Sequence, residues 1–222
     1  MPTVSEKLFM DYCIRKNVQC EKIEETHEKT MDFKLVIDDD YVLITEVTEF
    51  EINPEEDKKS QEISNSIKNR KCGPIHWDPD DNKRIQQKIK DKHQQLKSYS
   101  GVPIVLCFFD QRPWPFSTID ISDIRIALFG ELQEYYIRNS EEMTLTYSHS
   151  KNINKKIRYD QNLMVSAVGL LNESETEKSF EVIHNPYASI PLDINKCKNF
   201  FSTQYKIKLF PDRENELIKI LF

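Results

Sequence analysis

Two acids and a few lysines carry the chemistry this chain offers. Asp32 opens the extended run "DFKLVID", and Glu46 sits late in the next run, "YVLITEVTEF". Asp39 and Asp40 between them suit a hairpin turn. Paired antiparallel, the runs bring both carboxylates to one sheet edge. There, two hard oxygen ligands can hold Mg2+ while a phosphate and waters complete its shell. Such an ion stabilises charge on a transferring phosphate and lowers the pKa of a bound water that attacks it. A lysine nearby orients that water or balances the developing charge. The residue two after Glu46, however, is Thr48, which carries no cation. Lys34 lies on the face of Asp32, one pleat further, because strand side chains alternate with a period of two.

The elements that must position these groups are legible in outline. Residues 4–16 carry Val4, Leu8 and Tyr12, flanked by Phe9 and Cys13, at helical spacing behind a Ser5 cap. Three extended segments follow, "VQCEKIE", "DFKLVID" and "YVLITEVTEF". In the second, Phe33, Leu35 and Ile37 share one face and leave Asp32, Lys34 and Val36 on the other; in the third, Ile44, Glu46 and Thr48 share a face. Residues 51–81 turn polar, and the length of this stretch predicts either helix around "SQEISNSIKN" or a flap beside a site. Lys68, Arg70 and Lys71 there, with His76 and Trp77, form a combination that can meet phosphates and stack on a base. Next, "NKRIQQKIKDKHQQLKSY" places Ile85, Ile89, Leu96 and Tyr99 at helical spacing behind an Asn82 cap. "VPIVLCFFD" is apolar throughout, which predicts a central strand buried on both faces and parallel to a neighbour.

In the second half, "SDIRIALFG" predicts a short helix ended at Gly130, and "ELQEYYIR", "MTLTYSH", "LMVSAVGLL", "SFEVIH" and "YKIKLF" predict strands. Asn185-Pro186 predicts a turn in which Asn bonds its own backbone. The prolines of "RPWPF" around Trp114 preset another turn, and His93 borders the apolar stripe of its helix.

The order helix, three antiparallel-type strands, helix, buried strand, together with "TMDFKLVI" and "LITEVTEF", resembles the PD-(D/E)XK nuclease superfamily, the restriction-endonuclease-like fold. Met31 stands where the motif has Pro and Thr48 where it has Lys. "KIKDKHQQLK" followed by "VPIVLCFFD" looks like the helix and strand after this motif in a group of uncharacterised bacterial members, and "VIHNPYASIPL" looks like a late motif of that group. The core resemblance covers residues 1–110, and the late motif extends it to residue 192.

The resemblance implies a fold class and a site. The class is α/β, with a mixed-sheet α-β-β-β-α-β core over residues 1–110 and an elaborated C-terminal half of extra strands, 111–222, packed on it in one domain. Asp32 and Glu46 match the metal-binding acids, the carbonyl of Val47 matches a third ligand, and Glu6 matches a position that sometimes supplies another acid. Lys88 and Gln95 match polar helix positions facing the site, with Lys92 between them. Lys34 or Lys88 is expected to replace the missing catalytic lysine, and Gln95, Lys92, Lys71 and Trp77 to contact nucleic acid. The function implied is Mg2+- or Mn2+-dependent hydrolysis of DNA or RNA. With the lysine lost, the alternative is a catalytically inactive nuclease-like protein, a nucleic-acid-binding or assembly subunit of a homodimer or of a larger, defence-type complex.

Composition bounds these readings. Hydrophobic residues make up 38% of the 222 and charged residues 31%, and the apolar ones cluster into runs, so the chain is a globular one with a wet surface. No run approaches the roughly 18 apolar residues that span a bilayer, and "MPTVSEKLF" has no secretory pattern, so a cytoplasmic protein without membrane partners is expected. Cys13, Cys20, Cys72, Cys107 and Cys197 are odd in number and lack CxxC spacing, which suits free thiols rather than disulfides or structural zinc. A net charge of -6 excludes wholesale coating of nucleic acid and leaves room for a local basic groove. No Ser-His-Asp arrangement, glycine-rich phosphate loop or HExxH is present, and the four glycines disfavour a dinucleotide fold.

Overall fold

The computed structural model describes residues 2–24, 30–69, 81–99, 101–113, 115–130, 133–139, 142–149, 163–174, 177–208 and 216–222. Helix α1 (Val4–Arg15) leads into strands β1 (Gln19–Lys22), β2 (Phe33–Ile37) and β3 (Tyr41–Phe50). Helices α2 (Pro54–Lys68) and α3 (Asp81–Leu96) follow, then a 3-10 turn at Lys97–Tyr99 and strand β4 (Ile104–Asp110). Helix α4 (Ile121–Phe129) precedes β5 (Gln133–Asn139), β6 (Glu142–His149), β7 (Ala167–Glu173), β8 (Lys178–His184), β9 (Thr203–Lys208) and β10 (Glu216–Lys219).

The class is α/β, built on one mixed sheet of eight strands in the order β1-β2-β3-β4-β7-β8-β9-β10, with β5 and β6 paired separately. β1, β2 and β3 form an antiparallel meander, and Asp38 and Asp39 take the left-handed conformation (φ 48° and 66°) that closes the β2–β3 hairpin. β3 and β4 are parallel, which requires a crossover, and α2 and α3 supply it. β4 also pairs parallel with β7, so the second half of the chain continues the same sheet.

Burial follows the two-residue period of the strands. On one face, Leu8, Phe9, Tyr12 and Cys13 of α1 meet Phe33, Leu35, Leu43, Val47, Val105, Cys107 and Phe180. On the other, Ile85, Ile89 and Leu96 of α3 and Ile124 and Leu128 of α4 meet Ile44, Phe50, Leu106 and Phe108. β4 contributes to both cores, as a run apolar at every position must.

Three boundaries differ from expectation. The cap of α1 is Thr3, not Ser5: Thr3 Oγ1 accepts from the Glu6 N–H at 3.2 Å and Glu6 Oε2 accepts from the Thr3 N–H at 2.8 Å. This reciprocal box satisfies two backbone donors, and Ser5 falls inside the helix. In the polar stretch after β3, helix α2 contains the expected helical run and starts earlier, at Pro54, because Asn53 and Glu56 form a second such box and Pro54 sits at the first helical position. Asn82 lies one residue inside α3, since Asp81 is already helical. Gly130 ends α4 as expected, at φ 82°, and Asn185 Oδ1 accepts from the Tyr187 N–H at 2.9 Å in the expected turn. Among the described residues no helix is long and apolar enough to cross a membrane.

Candidate active site

Register brings the two acids together. Phe33 is opposite Thr45, so Asp32, just before β2, comes alongside Glu46, and each lies within electrostatic range of the α3 lysine Lys92. The Val47 N–H donates to Asp32 Oδ2 at 2.8 Å, which ties this carboxylate to the neighbouring strand. Glu46 is on the α3 face of β3, only 2% exposed. Its Oε1 accepts a hydrogen bond from Lys92 Nζ. Its Oε2 is buried and has no hydrogen-bond partner among the described residues.

The electrostatics follow from this crowding. Burial, and then the charge of Asp32, push the Glu46 carboxyl up to about 7, against the pull of Lys92. Burial also raises Asp32, with Glu6 adding to the effect, while the Val47 N–H, Lys92 and Lys22 oppose it. Glu6 is occupied twice over: it closes the α1 capping box and accepts from Lys22 Nζ at 3.0 Å with both oxygens.

The lysine that reaches Glu46 is thus Lys92. Lys34 is exposed on β2, between Glu21 of β1 and Ile44 of β3. Lys88 lies one turn from Lys92, with Nζ 5.1 Å from the centroid of the Phe50 ring. Gln95 is turned inward, its amide donating to the Thr30 carbonyl at 2.9 Å, so it positions the backbone just before Asp32. Val47 is buried, its side chain in the α1-side core. Met31, at the motif's proline position, fills the α3-side core. Lys71, His76, Trp77, Arg70 and Trp114 and the side chain of His93 lie outside the described residues.

Lys92 had a signal in the sequence. It follows Ile89 by three residues and precedes Leu96 by four, so it occupies a position in the buried stripe of α3. A lysine there needs an acid inside. A second feature had no such signal. Arg112, 3% exposed, donates to Glu56 at 2.9 Å, to Asp81 at 2.8 and 3.0 Å, and to Asp110 at 2.7 and 2.8 Å. Arg84 shares Glu56 at 2.7 Å. The three acids come from the first turns of α2 and α3 and the end of β4. The guanidinium therefore locks both crossover helices to the strand beside the site, and only Glu56 of α2 is buried.

The donor set suits a hard divalent cation. Mg2+ is held through one or two carboxylates with water and substrate phosphate completing its shell, and Asp32 and Glu46 Oε2 present that chemistry. Among the described residues no group of three or more His, Cys, Asp or Glu gathers to hold a metal. Comparison with protein-family models, with curated proteins and with solved structures finds no match to this chain.

Proposed function

We propose that this protein is a Mg2+- or Mn2+-dependent nuclease of the PD-(D/E)XK type, with a restriction-endonuclease-like core, that hydrolyses phosphodiester bonds of DNA or RNA. Asp32 and Glu46 are its metal-binding acids, and Lys92 is the cation that position 48 lacks. The observation that carries the reading is the Lys92–Glu46 contact, made beside a second acid and leaving one buried carboxylate oxygen without a partner. A divalent ion held there supplies Lewis-acid stabilisation of phosphoryl charge and a more acidic water.

The side chains do the rest. Asp32, fixed by the Val47 N–H, and Glu46 Oε2 are the oxygens on offer, within electrostatic range of one another. Lys92, whose side chain is one-quarter exposed, turns its Nζ from Glu46 Oε1 to donate to the attacking water or to the phosphate oxygen where charge develops. Lys22 pairs with Glu6, which leaves Asp32 and Glu46 as the acids on offer to a cation. The described cysteines are free and three are buried, which suits a reducing, cytoplasmic setting.

A second reading, a nuclease-like subunit that binds or assembles without cutting, is favoured by the same pairs: Lys92 and Lys22 already compensate Glu46 and Glu6 without a metal ion. One experiment separates the two. Purified protein is incubated with single- and double-stranded DNA and RNA in Mg2+ or Mn2+, and then with EDTA. Nuclease chemistry gives cleavage that EDTA stops and that Glu46→Ala removes. Identical background from wild type and Glu46→Ala under every condition rejects catalysis.

A further inference from the structure

One half-buried cation near the acids, Lys88, has no anionic partner among the described residues. Arg84, Lys88 and Lys92 recur every four residues and so share a stripe of α3. Lys92 is held by Glu46. Arg84 donates to Glu56 Oε1 and to the Glu51 carbonyl, each at 2.7 Å. Lys88, between them, makes no hydrogen bond or ion pair among the described residues; its contact is with the face of Phe50, a ring fully buried in the core. Glu49 and Glu51 act on Lys88 only through space, while burial and the charges of Arg84 and Lys92 disfavour its protonated form. An oxyanion arriving here relieves repulsion along the stripe and supplies the missing partner.

We infer that Lys88 holds the phosphate next to the scissile one, so that a polynucleotide strand runs along α3 from Lys92 toward Phe50. One helical turn advances about 5.4 Å, which is on the order of the step between neighbouring phosphates in a strand. Because Arg84 is committed to Glu56 and Glu51, the row ends at Lys88, and a single adjacent phosphate is held. This inference rests on the proposed nuclease reading, with Lys88 as a binding residue rather than the lysine that assists the water.

The test uses Lys88→Met, which keeps an apolar stem over Phe50, and Lys88→Arg, with thermal unfolding of each to establish folding. A labelled single-stranded oligonucleotide is titrated in Ca2+ by fluorescence anisotropy over a range of salt. Lys88→Met should weaken binding about tenfold and reduce the slope of log K against log salt by about 0.7. Lys88→Arg should restore both. In Mg2+, the rise in KM for Lys88→Met should be several times larger on a trinucleotide than on a dinucleotide with one phosphodiester. A dinucleotide with an added 5′- or 3′-terminal phosphate shows whether a terminal group serves as well as an internal one, and on which side. Unchanged affinity and slope in a folded Lys88→Met variant overturn the inference, even where Glu46-dependent cleavage stands. If Glu46→Ala leaves only background unchanged while Lys88→Met still weakens binding, catalysis falls and the phosphate contact remains. Wild-type protein that binds no oligonucleotide overturns both.

Discussion

The raised Glu46 carboxyl makes stability depend on pH in the direction opposite to most acids. Its folded pKa, about 7, lies above its ordinary value of 4.5. The folded chain therefore binds more protons than the unfolded chain between those limits. The contribution of this group is most favourable at and below pH 4.5 and is lost as pH rises through 7. At ~1.4 kcal/mol per tenfold change in proton affinity, the full difference is about 3 kcal/mol. Glu46 is almost completely enclosed, so solvent screening reduces this little. Glu46→Gln removes the titration while keeping size and shape. It leaves Lys92 without its charged partner, but that side chain is one-quarter exposed and can be hydrated. The pull of Lys92 is already contained in the folded value of about 7 and is not subtracted again. Glu46→Gln should thus gain on wild type by about 3 kcal/mol between pH 4.5 and pH 8. Urea denaturation at half-unit intervals of pH, each read by linear extrapolation, measures this directly. A difference between the two proteins that stays constant from pH 4.5 to 8 would refute the reasoning, because Lys92 would then fully compensate the buried charge. Mg2+ should narrow the difference at pH 8 by binding wild type alone.

Other expectations are simpler. Lys92→Met should lower metal-dependent cleavage by about a hundredfold or more and push the Glu46 carboxyl still higher, which steepens the loss of wild-type-like stability above pH 7; cleavage unaffected by the change rules Lys92 out as the working cation. Arg112→Met should cost about 3–5 kcal/mol, since it strands three acids around a buried guanidinium site, and hydrogen exchange should show α2 losing protection. Gly169→Ala puts a Cβ 2.3 Å from the Glu181 carbonyl, 2.6 Å from Val182 Cγ1 and 2.8 Å from Phe180 Cε2, so β7 and β8 must separate locally. A loss of about 3 kcal/mol is expected in denaturation, and a neutral result contradicts the β7–β8 register.

Local patterns account for most of the elements. Alternation in "DFKLVID" and "YVLITEVTEF", the stripe Ile85–Ile89–Leu96 and the uniformly apolar "IVLCFF" each specify one kind of burial, and the strands and helix form as that burial requires. Cap positions were less legible. Ser5 and Thr3 are both competent caps, and the choice between them rests on the partner three residues on, Glu6. Helix α2 was ambiguous because its apolar content is low; it is held by a capping box and a buried ion pair rather than by a hydrophobic face.

By itself the sequence determined that two acids lie on adjacent strands and that position 48 holds no lysine, because hairpin pairing and strand alternation are local rules. Which lysine approaches them depended on the crossover from β3 through α2 and α3 to β4. That path is set by packing of the α3 stripe on the sheet and by the Arg112 anchor, whose partners are 2, 31 and 56 residues away. Two lysines, Lys34 and Lys88, were expected on sequence grounds to approach the acids, and Lys92 was expected only to contact nucleic acid. Only the seating of α3 against β3 put Lys92 on Glu46, left Lys88 over Phe50 and kept Lys34 in water, because a side chain's reach is decided by where its helix or strand rests, and that is a tertiary quantity.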